Sequence, residues 1–123
     1  IIPSLDARKY EIFYAVYDKK SNDMRLLLPP GKLHVDKYFD FLNGLKYNNP
    51  VVTGTVFQRY EDKIKEKVNL KFRRVTEENW TPSGATVARL GEKAMSVGNV
   101  TNYQHIKPVY MRVSDAKPPA SII

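Results

Sequence analysis

The sequence is 123 residues long, 42% of them hydrophobic, enough for one compact domain with a buried core; with no cysteine it holds neither a disulfide nor a thiolate metal site. Its formal net charge of +7 favours attraction to polyanions, and is equally the ordinary charge of a small soluble surface. No run is long and apolar enough to span a bilayer, and no basic-then-apolar leader opens the chain, so a cytoplasmic protein without membrane contact is the expectation.

The opening Ile1-Ile2-Pro3, directly on a strand-like run and without a methionine, reads as an excised piece: a single domain, 1–123, whose partner half lies upstream. Ile1 to Leu5 predicts a short buried strand, and Asp6-Ala7-Arg8-Lys9 a polar turn. Tyr10 to Tyr17 alternates, with Phe13, Ala15 and Tyr17 on one face and Ile12, Tyr14 and Val16 on the other. Both faces are apolar, so this strand is expected to be covered on both sides. Asp18 to Asp23 predicts a turn and Met24 to Leu28 a third strand, completing an antiparallel meander that Pro29-Pro30-Gly31 should end.

Val35, Tyr38, Phe39, Leu42 and Leu45 then recur at helical spacing, with Gly44 as the expected C-terminal cap. Pro50 to Thr53 predicts a buried strand running into Gly54. A second amphipathic helix carries Phe57, Tyr60, Ile64 and Val68 on one stripe. Leu70 to Val75 has the alternation of an exposed edge strand. The last helix should start at the Thr81 cap with Pro82 in first position and stop at Gly98; its stripe of Gly84, Ala88, Gly91 and Met95 predicts close packing over the sheet. The order β-β-β-α-β-α-β-α, with an extended tail, implies an α/β fold. A three-stranded antiparallel meander continues into a mixed sheet with helices packed on it, as in a ribonuclease-H-like domain or one half of an actin-like ATPase.

Three stretches carry a family resemblance. The first is Asp6-Ala7-Arg8 with Glu11-Ile12-Phe13 and Ala15. The second is Val52-Thr53-Gly54-Thr55 with Phe57-Gln58, and the third is Pro108-Val109-Tyr110-Met111-Arg112 with Asp115-Ala116. Together they resemble the C-terminal half of the TsaB family, also called YeaZ or glycoprotease-like, within the actin-like ATPase superfamily. The resemblance implies a non-catalytic scaffold subunit that assembles with TsaD, the catalytic subunit, and with TsaE, an ATPase. In that system TsaD moves a threonylcarbamoyl group from an activated adenylate to adenosine 37 of tRNA, so this chain would meet tRNA indirectly. It also implies that the subunits meet mainly through helices of the first half.

The residues agree with a chain that binds no nucleotide and no other cofactor. An actin-like ATPase uses glycines in the first hairpin turn so that backbone amides cradle phosphate, whereas Asp6 to Tyr10 contains none and places a carboxylate there. Val56 stands where a second loop glycine is wanted, and a β-branched residue suits positive φ poorly.

Asp6 is expected to close its own turn. Arg8 and Glu11 either pair with each other at the surface or bind a partner, and Arg112 bonds backbone or carboxylate while Tyr110 is buried. Arg8, Glu11 and Arg112 are therefore the candidate partner-binding residues; none is assigned to catalysis or metal. His34 and His105 lack metal-ligand spacing and read as structural or surface residues. The basic run Lys63, Lys65, Lys67, Lys71, Arg73 and Arg74 is the one RNA footprint, with Trp80 and the tyrosines as candidate stacking groups. Rival readings are a metal-dependent peptidase, a nucleotide-binding actin-like half and a plain RNA-binding domain. An apolar face toward the absent half predicts self-association.

Overall fold

A computed structural model describes residues 1–115; Ala116, the end of the third quoted stretch, lies outside them. The strands are β1 (Ile2–Asp6), β2 (Glu11–Lys20), β3 (Asp23–His34), β4 (Val51–Thr53) and β5 (Arg73–Arg74). The helices are α1 (Val35–Gly44), α2 (Val56–Lys67) and α3 (Gly84–Ser96), with short 3-10 turns at Glu77–Asn79 and Tyr103–His105. The sheet order is β3-β2-β1-β4-β5, with β2 antiparallel to both neighbours and β1, β4 and β5 mutually parallel.

The meander is longer than its local sequence signals. Only Ser21 and Asn22 turn between β2 and β3, and β3 runs straight through Pro29-Pro30-Gly31. It can do so because it is an edge strand with irregular register: Val16 faces Leu28 and Tyr14 faces Gly31, so both prolines lie opposite Ala15. A proline without an N–H costs no ladder bond at a bulge on a free edge. Gly31 also leaves room for the Tyr14 ring, whose atoms lie 3.3 Å from where a Cβ would stand.

One face of the sheet carries the core. Ile2, Ile12, Val16 and Val52 pack against Val35, Tyr38, Phe39 and Leu42 of α1 and Val56, Phe57, Tyr60 and Ile64 of α2. Inside it the hydroxyls of Ser4 and Tyr38, both fully buried, hydrogen-bond at 2.5 Å, which satisfies two polar groups at once. Desolvation pushes the Tyr38 phenol above its ordinary range. The helices begin and end for local reasons. His34 caps α1, its Nδ1 accepting from the Asp36 amide at 3.4 Å. Gly44 is the last helical residue and not a left-handed cap; Leu45 caps in extended conformation. α2 is interrupted at Tyr60 (φ −119°, ψ 15°).

Three further expectations need correction. On the opposite face of β2, Ala15 is buried but Phe13 and Tyr17 are only half-buried, because α1 and α2 both lie on the Ile12 side. α3 starts at Gly84 behind a Ser83 cap, two residues later than the Thr81–Pro82 signal, and no residue of it is buried. Among the described residues no atom lies within 4 Å of a Cβ built at Gly84 or Gly91, so the close packing expected at these glycines is not made. The strand expected over Leu70–Val75 shortens to Arg73–Arg74. Gly98 does end α3: at φ +73° its amide reaches the Met95 carbonyl while the Asn99 amide reaches Ala94, a Schellman closure.

Candidate functional site

The β1–β2 turn gathers the residues that the sequence singles out. Its backbone is unusual: Arg8, Lys9 and Tyr10 have φ of 61°, 51° and 59° in succession. For residues with a Cβ this conformation costs roughly 1–2 kcal/mol each, so the surroundings must hold it. They do so through a ring of hydrogen bonds. Asp6 Oδ1 accepts from the Arg8 amide at 2.9 Å, the expected Asx turn. The Ala7 amide donates to the Glu11 carbonyl (2.9 Å) and the Glu11 amide to the Arg8 carbonyl (3.0 Å). The Asp6 amide donates to Thr55 Oγ1 at 3.0 Å, and the Val35 amide to the Tyr10 carbonyl at 2.8 Å.

The tail comes back to this turn. Arg112 Nη1 donates to the Ala7 carbonyl (3.2 Å) and to Glu11 Oε2 (3.4 Å), and Lys9 pairs with Asp115. The Lys9 ammonium holds the Asp115 carboxyl below the usual carboxylate range. Glu11 also pairs with Lys32 at 2.7 Å, so its carboxylate is shared by two cations and does not pair with Arg8. Of the three candidate residues, Glu11 and Arg112 meet, and the exposed Arg8 contributes its backbone to the turn. Tyr110 is not buried: it is 84% exposed.

Two neighbours of the turn give no signal in the sequence. Lys32 lies across the β2–β3 ladder. Arg59 stands on α2 with its guanidinium 3.5 Å from Asp6 Oδ2 and about 6 Å from the ring of Tyr10. Lys63 Nζ lies 5.8 Å from the same ring. Spacing gives no signal for such long-range pairs; the polar face of the second helix is the one hint. Tyr60 lies beneath. Burial first, then Asp6, raises its phenol, whose oxygen finds no hydrogen-bond partner among the described residues.

Three of the six residues of the basic run are engaged in ion pairs. Lys65 and Arg74 both reach Glu61, and Lys67 reaches Asp36. Trp80 is a core residue, 6% exposed, donating Nε1–H to the Val75 carbonyl, so it is no base-stacking platform. His105 sits exposed in the last 3-10 turn.

The loop after β4 turns on Gly54. Its φ is +119°, and a Cβ there would run into the Ser4 carbonyl of β1. This glycine serves close approach of two backbones. The next residue but one, Val56, is fully buried at the start of α2 and packs into the core.

Strand order, strand directions and helix placement define a ribonuclease-H-like, actin-like α/β domain. No family model matches the sequence, and a search of curated proteins returns no match. Solved structures do match in fold. Among them is the crystal structure of an uncharacterized protein with similarity to peptidase YeaZ from Pseudomonas aeruginosa, with a TM-score of 0.62 and 17% identity. The match covers 89% of this chain and 47% of that one, so this chain spans about half the length of the solved protein. The fold is YeaZ-like.

Proposed function

We propose that this chain is the second half of a TsaB-type protein and acts as a non-catalytic scaffold in threonylcarbamoylation of adenosine 37 of tRNA, with a TsaD-type catalytic subunit and a TsaE-type ATPase. One observation carries the reading: the three stretches that resemble the family converge on one turn. Asp6, Ala7 and Glu11 come from the first, Thr55 from the second and Arg112 from the third, joined by the Asp6–Thr55 and Arg112–Ala7–Glu11 hydrogen bonds. Residues about a hundred positions apart thus hold each other, as expected of a signature that preserves a shape.

The turn favours scaffold over enzyme. The amides of Ala7, Arg8 and Glu11, which would have to face a phosphate, are already bonded within the turn, and the Asp6 carboxylate stands beside them. The rival metal-dependent peptidase would need grouped ligands, and His34 Nδ1 is instead engaged with the Asp36 amide.

The test is genetic and chemical together. In cells depleted of their own TsaB-type protein, the protein carrying this chain should restore threonylcarbamoyladenosine in digested tRNA, read by mass spectrometry. Expression without recovery of the modified nucleoside would contradict the proposal.

A further inference from the structure

From Thr81 to Tyr110 every residue but Ala94 is exposed, and Met111 and Arg112 are the next two to be half-buried. Here the chain returns to the domain, with Phe13 of β2 bordering the hollow that Val109 to Asp115 line. Apolar burial does little to hold the tail there, since Val109, Tyr110 and Val113 all stay exposed. Charge does more. Arg112 Nη1 donates to the Ala7 carbonyl at 3.2 Å and to Glu11 Oε2 at 3.4 Å, and Lys9 pairs with Asp115.

These bonds fall on one strained run. Arg8, Lys9 and Tyr10 all have positive φ. Ala7 precedes that run, Lys9 is its middle residue and Glu11 follows it, so the tail grips the run before, within and after. A left-handed backbone is unfavourable for residues with a Cβ and persists where surrounding contacts over-determine it. Glu11 is set to receive the tail. Lys32 holds its Oε1 at 2.7 Å from across the β2–β3 ladder, which leaves Oε2 turned to Arg112.

We propose that Arg112 and Asp115 make the tail an ionic latch on the β1–β2 turn, holding Arg8, Lys9 and Tyr10 left-handed and letting the turn relax, with the core intact, when the tail leaves. The core is spared because none of the latch residues belongs to the buried cluster under α1 and α2. Glu11 and Arg112 thereby act as positioning residues. While the latch is closed they face each other, and Arg8 is the candidate residue that stays exposed. The latch is independent of the tRNA reading.

A latch made of charge has a weak side. The side chains of Lys9 and Asp115 are 61% and 64% exposed, those of Arg112 and Glu11 29% and 23%. Salt should therefore loosen the outer pair first, because exposed charges are screened more than partly buried ones.

Hydrogen exchange read by mass spectrometry, on the protein carrying this chain, tests the latch. The amides of Ala7 and Glu11 are bonded across the turn and report on it, while those of α1 report on the core. Arg112→Ala should speed exchange over residues 7–11 about tenfold, the effect of losing hydrogen bonds to a charged group. Asp115→Asn should speed it about twofold to fivefold, as expected of an exposed ion pair. Salt at about 1 M, where charges are screened beyond ~3 Å, should have a similar effect on the unmodified protein. Adding Lys9→Met to Asp115→Asn should change little more, because both remove the same pair. Exchange in α1 should stay as it was in every variant. Turn exchange unmoved by Arg112→Ala would overturn the proposal. So would α1 exchanging faster in step with the turn, since the tail would then support the whole fold.

Discussion

Gly54→Ala tests the contact that sets the site on the sheet. Alanine at φ +119° occupies backbone space that residues with a Cβ rarely enter, at a cost of about 1–3 kcal/mol. The new Cβ also meets the Ser4 carbonyl oxygen and lies 2.9 Å from its carbon, and a strand backbone cannot rotate aside as a side chain does. β1 must then part from β4, whose parallel pairing consists of Ile2↔Val52 and Pro3↔Thr53, and such overpacking costs a further 1–3 kcal/mol or so. The expected loss is about 2–6 kcal/mol, a large share of the roughly 5–15 kcal/mol that holds a domain folded. At about 4–8 °C per kcal/mol the melting temperature should fall by about 8–48 °C. Urea unfolding followed by Trp80 fluorescence, with circular dichroism as a second probe, measures it. Gly44→Ala is the control: nothing lies within 4 Å of its Cβ, so it should be neutral or mildly stabilising. A Gly54→Ala loss below about 1 kcal/mol would refute the close approach of β1 and β4.

Other outcomes follow from the same structure. Ser4→Ala should cost about 1–3 kcal/mol by leaving the buried Tyr38 hydroxyl unpaired, and adding Tyr38→Phe should recover part of that loss in a denaturation double-mutant cycle. Hydrogen bonds from Arg74 and then Lys65 pull the Glu61 carboxyl from an ordinary 4.5 to about 2. Its folded value is depressed, so its contribution is present above pH 4.5 and fades as pH falls toward 2; Glu61→Gln should flatten the stability curve in that window, and an unchanged slope would count against the pairing. Millimolar ATP with magnesium should leave the melting temperature unmoved, and a rise of several degrees would overturn the closed-turn reading. The chain by itself should not capture a TsaD-type subunit in a pull-down at moderate salt; stable capture would move that interface into this half.

How much was legible in the sequence depends on whether the signal is local. Val35 to Leu42 and Phe57 to Ile64 keep helical spacing because their own apolar stripes meet the core, and both helices stand where that spacing puts them. Asp6 and Gly98 are legible for the same reason: an Asx turn and a Schellman closure involve only neighbours. β3 was cut short at its prolines because edge position and bulges, which excuse a missing N–H, are properties of the assembled sheet. α3 shows the limit most clearly. Periodicity identifies its apolar arc, but it does not say what that arc will meet. At the turn, Arg112 bonding backbone and carboxylate was foreseen, whereas Arg59 and Lys32 join it through contacts no spacing reveals.

Reconstitution from purified parts tests the central claim most directly. TsaD-type and TsaE-type subunits, the activated threonylcarbamoyl adenylate and unmodified tRNA are combined with and without the protein carrying this chain, and the modified adenosine is quantified by mass spectrometry. Product that appears only when this protein is added is the expected result. Equal product without it, or none with it, would contradict the scaffold reading.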